Sequence, residues 1–338
     1  MNPGRPARAP LRIGVWGVGT WGEKHARVLH SLSEAELVGV HDRDPARAAD
    51  VAERYGTRVF PTAEALLDAC EAVTVATPTV AHRAAVERAA SRKRHVLVEK
   101  PMATTLEEAE SMRAAAARAG VSLQVGHVER FNPALIAARP HVSRPKFIEA
   151  HRLALFQPRS LDIDVVFDLM IHDIDIVLNC VGTVPDSISA VGVAVLSENE
   201  DIANARLEFA DGCVANLTAS RVSQERLRRI RFFQSDTYLS VDLFAREADL
   251  LRVDAARLRE SRSDPVAAAA AIRRGKVEVG EGEPLALELA AFLRSLRGEG
   301  AGAAPAEAGR DALRVAERVQ AEMKQRTRRW TTRPSVVS

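Results

Sequence analysis

Cysteine is scarce in this chain. Cys70, Cys180 and Cys213 are the only three in 338 residues. Their odd number and wide spacing exclude a disulfide framework and zinc-finger spacing, and fit reduced, buried thiols. An excess of one charge is also lacking. The 47 basic and 45 acidic residues leave a net charge of +2, too little for a general field that gathers nucleic acid or an anionic membrane. No apolar run approaches the roughly 20 residues that span a bilayer. The first ten residues, MNPGRPARAP, hold proline, glycine and arginine without the apolar core of a secretory signal. They read as a disordered extension, and the expected location is the cytoplasm. Two basic runs, Arg226-Leu-Arg-Arg-Ile-Arg231 and Arg326-Thr-Arg-Arg-Trp330, read as a solvated strand face and a basic tail over 328–338 rather than phosphate patches.

What remains is ordinary globular material. An apolar content of 46% and a charged content of 27% suit a folded protein, and the length suits two domains. Residues 11–126 alternate between the two periods of regular structure. Strand-like stretches fall at 12–16, 36–41, 58–60, 72–77, 95–98 and 121–125, with helical stretches between them. Asp44-Pro45 starts one helix as cap and first residue, and Thr105-Leu-Glu-Glu108 starts another as a capping box. Strands separated by helices of 8–14 residues predict an α/β Rossmann domain, a doubly wound parallel sheet. The pattern then changes. Long strand-like runs occur at 146–156, 187–196, 203–209, 213–220, 229–234 and 238–243, with Asp211-Gly212 as a hairpin signal. One long helix, about 163–181, interrupts them. Residues 127–327 are therefore expected to form an α+β domain with a mostly antiparallel open sheet, closed by helices near 284–296 and 308–324.

The first strand leads into Gly17-Val-Gly-Thr-Trp-Gly22, with Asp42 twenty residues past the last glycine. A strand, a glycine turn and a helix start together form a pyrophosphate cradle. Gly17 permits the turn, Gly19 the approach of backbone to phosphate, and Gly22 the packing of helix on strand. Val18, Thr20 and Trp21 lie within the same loop. Asp42 is placed to bond the ribose hydroxyls and repel a 2′-phosphate, which favours NAD. Arg43 beside it keeps NADP as the alternative. Thr77-Pro78 and Glu99-Lys100-Pro101 end the fourth and fifth strands, at the carboxyl rim where such sheets bind ligands. A lysine delivered there by a buried strand is partly desolvated, which suits proton transfer. Farther on, Asp168, His172 and Asp175 recur at helical spacing. A histidine between carboxylates suits a general acid or base. A surface salt bridge or a metal site fits the same spacing.

Taken together, these motifs resemble the Gfo/Idh/MocA oxidoreductases. The resemblance covers about residues 11–325. It rests on the glycine loop, Asp42-Arg-Asp-Pro45, Ala76-Thr-Pro-Thr-Val-Ala-His82, His95-Val-Leu-Val-Glu-Lys-Pro101, Asp168 with His172, and Glu283-Pro-Leu-Ala-Leu-Glu-Leu289. It implies an NAD(P)-dependent oxidoreductase with catalytic Lys100, Asp168 and His172 and no metal. It adds His82 and Glu99 to the cofactor-binding set of Gly17, Val18, Gly19, Thr20, Trp21, Gly22, Asp42, Arg43, Thr77, Pro78 and Lys100. A narrower likeness, in Val125-Gly-His-Val-Glu-Arg-Phe-Asn-Pro133 and Asp168-Leu-Met-Ile-His-Asp-Ile-Asp175, is to the branch that oxidises the 3-hydroxyl of UDP-N-acetylglucosamine for the amino sugar of a lipid A. His127, Arg130, Asn132, Arg159 and Asp175 are then the expected substrate contacts, with a homodimer or homotetramer as the assembly. The competing readings are an NADP-dependent enzyme acting on another small polyol and a non-catalytic nucleotide-binding regulator.

Overall fold

The computed structural model describes residues 9–157, 163–260 and 264–331. The chain begins with β1 Leu11–Trp16, α1 Thr20–Ser31, β2 Ala35–His41, α2 Pro45–Arg54 and α3 Ala63–Ala69. It continues with β3 Ala72–Val75, α4 His82–Ser91, β4 His95–Glu99, α5 Leu106–Ala119, β5 Leu123–Gly126 and α6 Pro133–Ala138. Next come β6 Phe147–Leu153, a π-helical turn Val166–Met170, α7 Ile171–Val181, β7 Ser187–Val193, β8 Ile202–Glu208 and β9 Val214–Ser220. The rest is β10 Leu227–Phe233, β11 Thr237–Asp242, β12 Glu247–Val253, α8 Ala255–Glu260, α9 Pro265–Ala270, β13 Ile272–Lys276, α10 Pro284–Leu296, β14 Ala304–Pro305 and α11 Ala306–Thr331.

The contacts divide the chain into two units, residues up to Val128 with Gly282–Arg310, and Glu129–Glu281 with the residues from Asp311 onward. In the first unit, among the described residues, six strands run in the order β14-β5-β4-β3-β1-β2. β1 to β5 are parallel and the two-residue β14 is antiparallel on β5. Ile13, Val15, Val73, Val75, Val96, Leu97, Val98 and Val125 are fully buried, as a sheet covered on both faces requires. The capping signals work as read. Asp44 accepts the N–H groups of Ala46 and Arg47, Thr105 accepts that of Glu108, and Gly120 ends α5 with φ +68°.

Two sequence expectations change here. The 58–60 segment joins β2 by a single bridge, Val40 to Val59, instead of forming a strand. The closing segment 284–305 belongs to this unit rather than to the second. α10 packs against α1, and Gln124 donates to Ser295 at 2.9 Å. A helix's apolar stripe is readable in sequence, but the partner that covers it is not.

In the second unit eight strands run β13-β12-β11-β10-β6-β9-β8-β7 among the described residues. β6 and β9 are parallel and the other pairs antiparallel. Alternation puts Ile148, Ala150, Ala215, Leu217, Ile230 and Phe232 on one buried face. α7 and the Val315, Val319 and Met323 stripe of α11 complete that core. Each fully buried Leu, Ile or Phe contributes about 1.5–3 kcal/mol.

Candidate active site

In the first unit the strand order reverses between β1 and β3, so the loops after these two strands diverge and leave a crevice. Gly17 lies in that crevice with φ +88°, and a Cβ on it would stand 2.8 Å from the Thr77 nitrogen. A Cβ on Gly22 would stand 1.7 Å from the Gly17 oxygen, so α1 and the turn touch without room for a methyl. Gly19 has nothing within 4 Å of its own Cβ position. It is the N-cap of α1 and supplies no side-chain cap, so the first N–H groups of the helix face open space. The Thr77 hydroxyl nearby is buried without a hydrogen-bond partner among the described residues. An open glycine face, uncapped helix N–H groups and an orphaned hydroxyl fit a dinucleotide's phosphates.

Asp42 closes the loop from the β2 side. It accepts the Val18 N–H at 2.7 Å and the Asp44 N–H at 2.9 Å. A carboxylate has about four lone-pair sites, so acceptor capacity remains for ribose hydroxyls. Arg43, Thr20 and Trp21 are exposed, and the Lys24 ammonium sits 4.3 Å over the Trp21 ring.

His82 is buried, and both ring nitrogens meet carbonyl oxygens: Nε2 that of Thr77 at 2.9 Å, Nδ1 that of Pro101 at 3.1 Å. It stitches the loop after β3 to the loop after β4. Burial lowers its pKa below the ordinary histidine value, outweighing the carbonyls and Glu99. Glu99 is buried too. It meets His25 Nε2 at 2.8 Å and accepts the Lys100 N–H at 3.2 Å. Burial alone would raise its pKa. The His25 hydrogen bond and the charges of His25 and Lys100 prevail and hold it below the usual carboxylate range. Lys100 itself is half-buried. His25 belongs to none of the sequence motifs; its bond to Glu99 joins two elements 74 residues apart.

In the second unit the helix expected over 163–181 is not regular. The N–H of Ile171 reaches the carbonyl of Val166, five residues back, giving the π turn. Such single turns recur at functional sites. Asp168 sits on it and lines a cavity of about 150 Å³ together with Leu155, Arg221, Arg226, Arg228 and Phe244. His172 follows on α7 and is buried. Asp173 is gripped by both ends of the Arg152 guanidinium at 2.8 and 2.9 Å, and Arg152 also reaches Glu129 at 2.7 Å. Asp175 is gripped by Arg130, at 2.7 Å twice. Forked Arg–carboxylate pairs are geometrically specific, so these two fix the rotation of α7 and with it the placement of His172.

Asp175 was expected to share a face with Asp168 and His172 and to contact substrate. Its carboxylate closes on Arg130, and the π turn changes the helical count between Asp168 and α7, so the regular wheel does not relate Asp168 to Asp175. Asn132 is also occupied structurally. Buried, it caps α6 through the Ala134 N–H and donates to the Leu243 carbonyl at 2.9 Å. His127 is buried after β5. Arg159 lies outside the described residues. The Arg226–Arg231 run, read as a solvated face, splits: Arg229 and Arg231 pair with Asp242 and Glu149, while Arg226 and Arg228 line the cavity.

The model for an oxidoreductase family with an NAD-binding Rossmann fold matches residues 11–127, and the model for the C-terminal domain of the same family matches residues 141–239. The chain belongs to the Gfo/Idh/MocA oxidoreductase family. As a Gfo/Idh/MocA protein it is an NAD-dependent oxidoreductase whose first unit holds the dinucleotide. Among its relatives, a UDP-N-acetylglucosamine 3-dehydrogenase of Acidithiobacillus ferrooxidans is 44% identical over 233 residues, 69% of this chain and 74% of the relative. A scyllo-inositol 2-dehydrogenase (NAD⁺) of Bacillus subtilis is 29% identical over 63% of this chain and 68% of that protein. A solved structure of a UDP-N-acetylglucosamine 3-dehydrogenase from Acidithiobacillus ferrooxidans has a TM-score of 0.85 at 36% identity, covering 94% of this chain and 98% of that one.

Proposed function

We propose that this oxidoreductase converts the 3-hydroxyl of UDP-N-acetylglucosamine to a ketone. The observation that carries the reading is the 44% identity to a 3-dehydrogenase of that sugar nucleotide. When bound, NAD⁺ supplies the hydride acceptor. The protein's own work is the hydroxyl proton and the substrate's orientation. His172 takes the proton as general base, a role worth roughly 10²–10⁴ in rate. Lys100, on the rim of the first unit, is a cation suited to stabilising negative charge that develops on a substrate oxygen. Asp168 orients His172. Glu99 and His25 hold the backbone that carries Lys100, and the Arg152–Asp173 pair holds the helix that carries His172. A 3-keto sugar is a substrate for amination, so use of the product in an amino sugar of lipid A belongs to the same reading. So do a cytoplasmic location and a homodimeric or homotetrameric assembly.

The test is an assay of the purified protein with NAD⁺ and a panel of UDP-sugars, free sugars and inositols, following nicotinamide reduction. Ketone formation is uphill, so a transaminase with its amino donor is added to draw the reaction forward. Reduction with UDP-N-acetylglucosamine supports the reading. Silence with every UDP-sugar beside clear turnover of a free polyol overturns it.

A further inference from the structure

The buried face of the second sheet is apolar along most of its length and turns cationic at one end. On β10 the alternating residues are Phe232, Ile230 and Arg228; on β6 they are Ile148, Ala150 and Arg152. Arg228 and Arg152 stand directly opposite in register. Like charges so placed are destabilising. Both guanidiniums also turn to one carboxylate oxygen, Glu129 Oε1. Arg152 holds it at 2.7 Å, and Arg228 reaches it only at 3.4 Å. Partial burial and the like charges of Arg152 and Arg226 lower the Arg228 pKa from the ordinary arginine value. Arg228 keeps about half its side chain exposed. Arg226 is exposed and has no carboxylate partner among the described residues. By contrast Arg221, also on the cavity, is buried and bonded to Asp201 at 2.8 Å. Two of the cavity's arginines are therefore incompletely satisfied and point their donors where a ligand can reach them. The same wall carries Phe244 and Leu155, both exposed apolar side chains.

We propose that Arg226 and Arg228 form the subsite for the diphosphate of a nucleoside-diphosphate substrate, with Phe244 and Leu155 covering its apolar parts. Guanidinium forks match phosphate oxygens and gain strength from the ionised acceptor. An anion there relieves the crowding between Arg152 and Arg228, which Glu129 relieves only in part, since it holds Arg152 at 2.7 Å and Arg228 at 3.4 Å. A bare phosphate would leave Phe244 and Leu155 in water, so the occupant carries a nucleoside. Asp168 lines the same cavity, which places the diphosphate beside the residue assigned to the chemistry. The inference rests on the reading of the substrate as a UDP-sugar and names the residues that select it.

The experiment measures UDP binding by calorimetry to the full chain and to Arg226→Ala, Arg228→Ala, the double variant and Arg231→Ala. It adds inorganic pyrophosphate and NAD⁺ as comparison probes, thermal melts of each variant, and the KM for UDP-N-acetylglucosamine. Each single change to the cavity raises the UDP Kd and the sugar-nucleotide KM about tenfold or more, from loss of a charge-assisted bond. The double change compounds the two, and salt weakens UDP binding less in the variants than in the parent. Arg231→Ala, whose side chain pairs with Glu149, binds UDP as the parent does. NAD⁺ affinity is unchanged throughout, and pyrophosphate binds more weakly than UDP. Arg228→Ala melts no lower than the parent, since it removes a like-charge contact; a merely structural arginine would melt lower. Unchanged UDP affinity in both cavity variants, in a protein that oxidises the sugar nucleotide, overturns the subsite and leaves the reaction standing. Arginine-dependent UDP binding in a protein that oxidises no UDP-sugar upholds the subsite and overturns the reaction.

Discussion

Gly19→Ala and Gly22→Ala differ by three positions and should fail for opposite reasons. A methyl on Gly22 would lie 1.7 Å from the Gly17 oxygen, where ordinary contact is 3.4–4 Å. The obstructing atom is backbone, so either the turn or α1 must move by more than an ångström. Overpacking costs roughly 1–3 kcal/mol when side chains can yield, and with backbone in the way about 3 kcal/mol or more is expected. A methyl on Gly19 meets nothing within 4 Å, and its φ of −65° suits alanine. Loss of a glycine cap and the reduced conformational entropy of the unfolded chain oppose each other, leaving stability within about 1 kcal/mol of the parent. That methyl does occupy the approach of a phosphate to the helix N–H groups. Losing one hydrogen bond to a charged acceptor, about 1.5–3 kcal/mol, raises the NAD⁺ Kd about 10- to 150-fold. Thermal melts without cofactor and NAD⁺ titration by calorimetry separate the two effects. A Gly19→Ala protein that binds NAD⁺ like the parent, or a Gly22→Ala protein that melts like it, would refute this account of the loop.

Three further outcomes follow from the site and its supports. His172→Ala lowers kcat about 10²–10⁴-fold while NAD⁺ affinity stays at the parent's value; Lys100→Ala also loses turnover, and single-turnover rates compare the two. Arg152→Met strands two buried carboxylates and loses about 3–5 kcal/mol in urea unfolding, whereas Arg152→Met with Asp173→Leu recovers part of that loss. Asp201 is buried and accepts the N–H groups of Val195, Leu196 and Ser197 as well as Arg221. Burial works against its ionised form, but these bonds win and hold its pKa well below the usual carboxylate value. Its stabilising contribution is then complete above about pH 5 and fades as pH falls below about 4 toward the folded-state pKa. Stability of Asp201→Asn should be lower at neutral pH and fall less steeply on acidification; an acid limb identical to the parent's counts against the assignment.

Local chemistry made much of the first unit readable. Gly17, Gly19 and Gly22 each have one physical reason to be glycine, and the reasons are visible in spacing alone. Asp44-Pro45 and Thr105 with Glu108 cap helices through neighbours two or three residues away. The buried run before Glu99-Lys100 had to be a strand that ends at a rim. Signals of this kind depend on atoms close in sequence, so composition and period suffice to find them.

The residues that aim the chemistry were not readable in this way. Glu129, Arg152 and Asp173 come from three elements and look like ordinary surface charges until β6 is laid under α7. Arg226 and Arg228 belong to a run whose other members are solvated or paired, and only the pleat of β10 and its register with β6 turn Arg228 inward. The π turn at Asp168 breaks the helical count on which its alignment with Asp175 was read. Sequence by itself determined the two kinds of sheet and the glycine cradle, because each follows from local propensity and backbone geometry, while the candidate acid–base groups were singled out by a family resemblance. Tertiary structure alone decided which carboxylate each arginine meets and which arginines are left for a ligand, because pairing across strands depends on register, and register is set by the packing of the whole core.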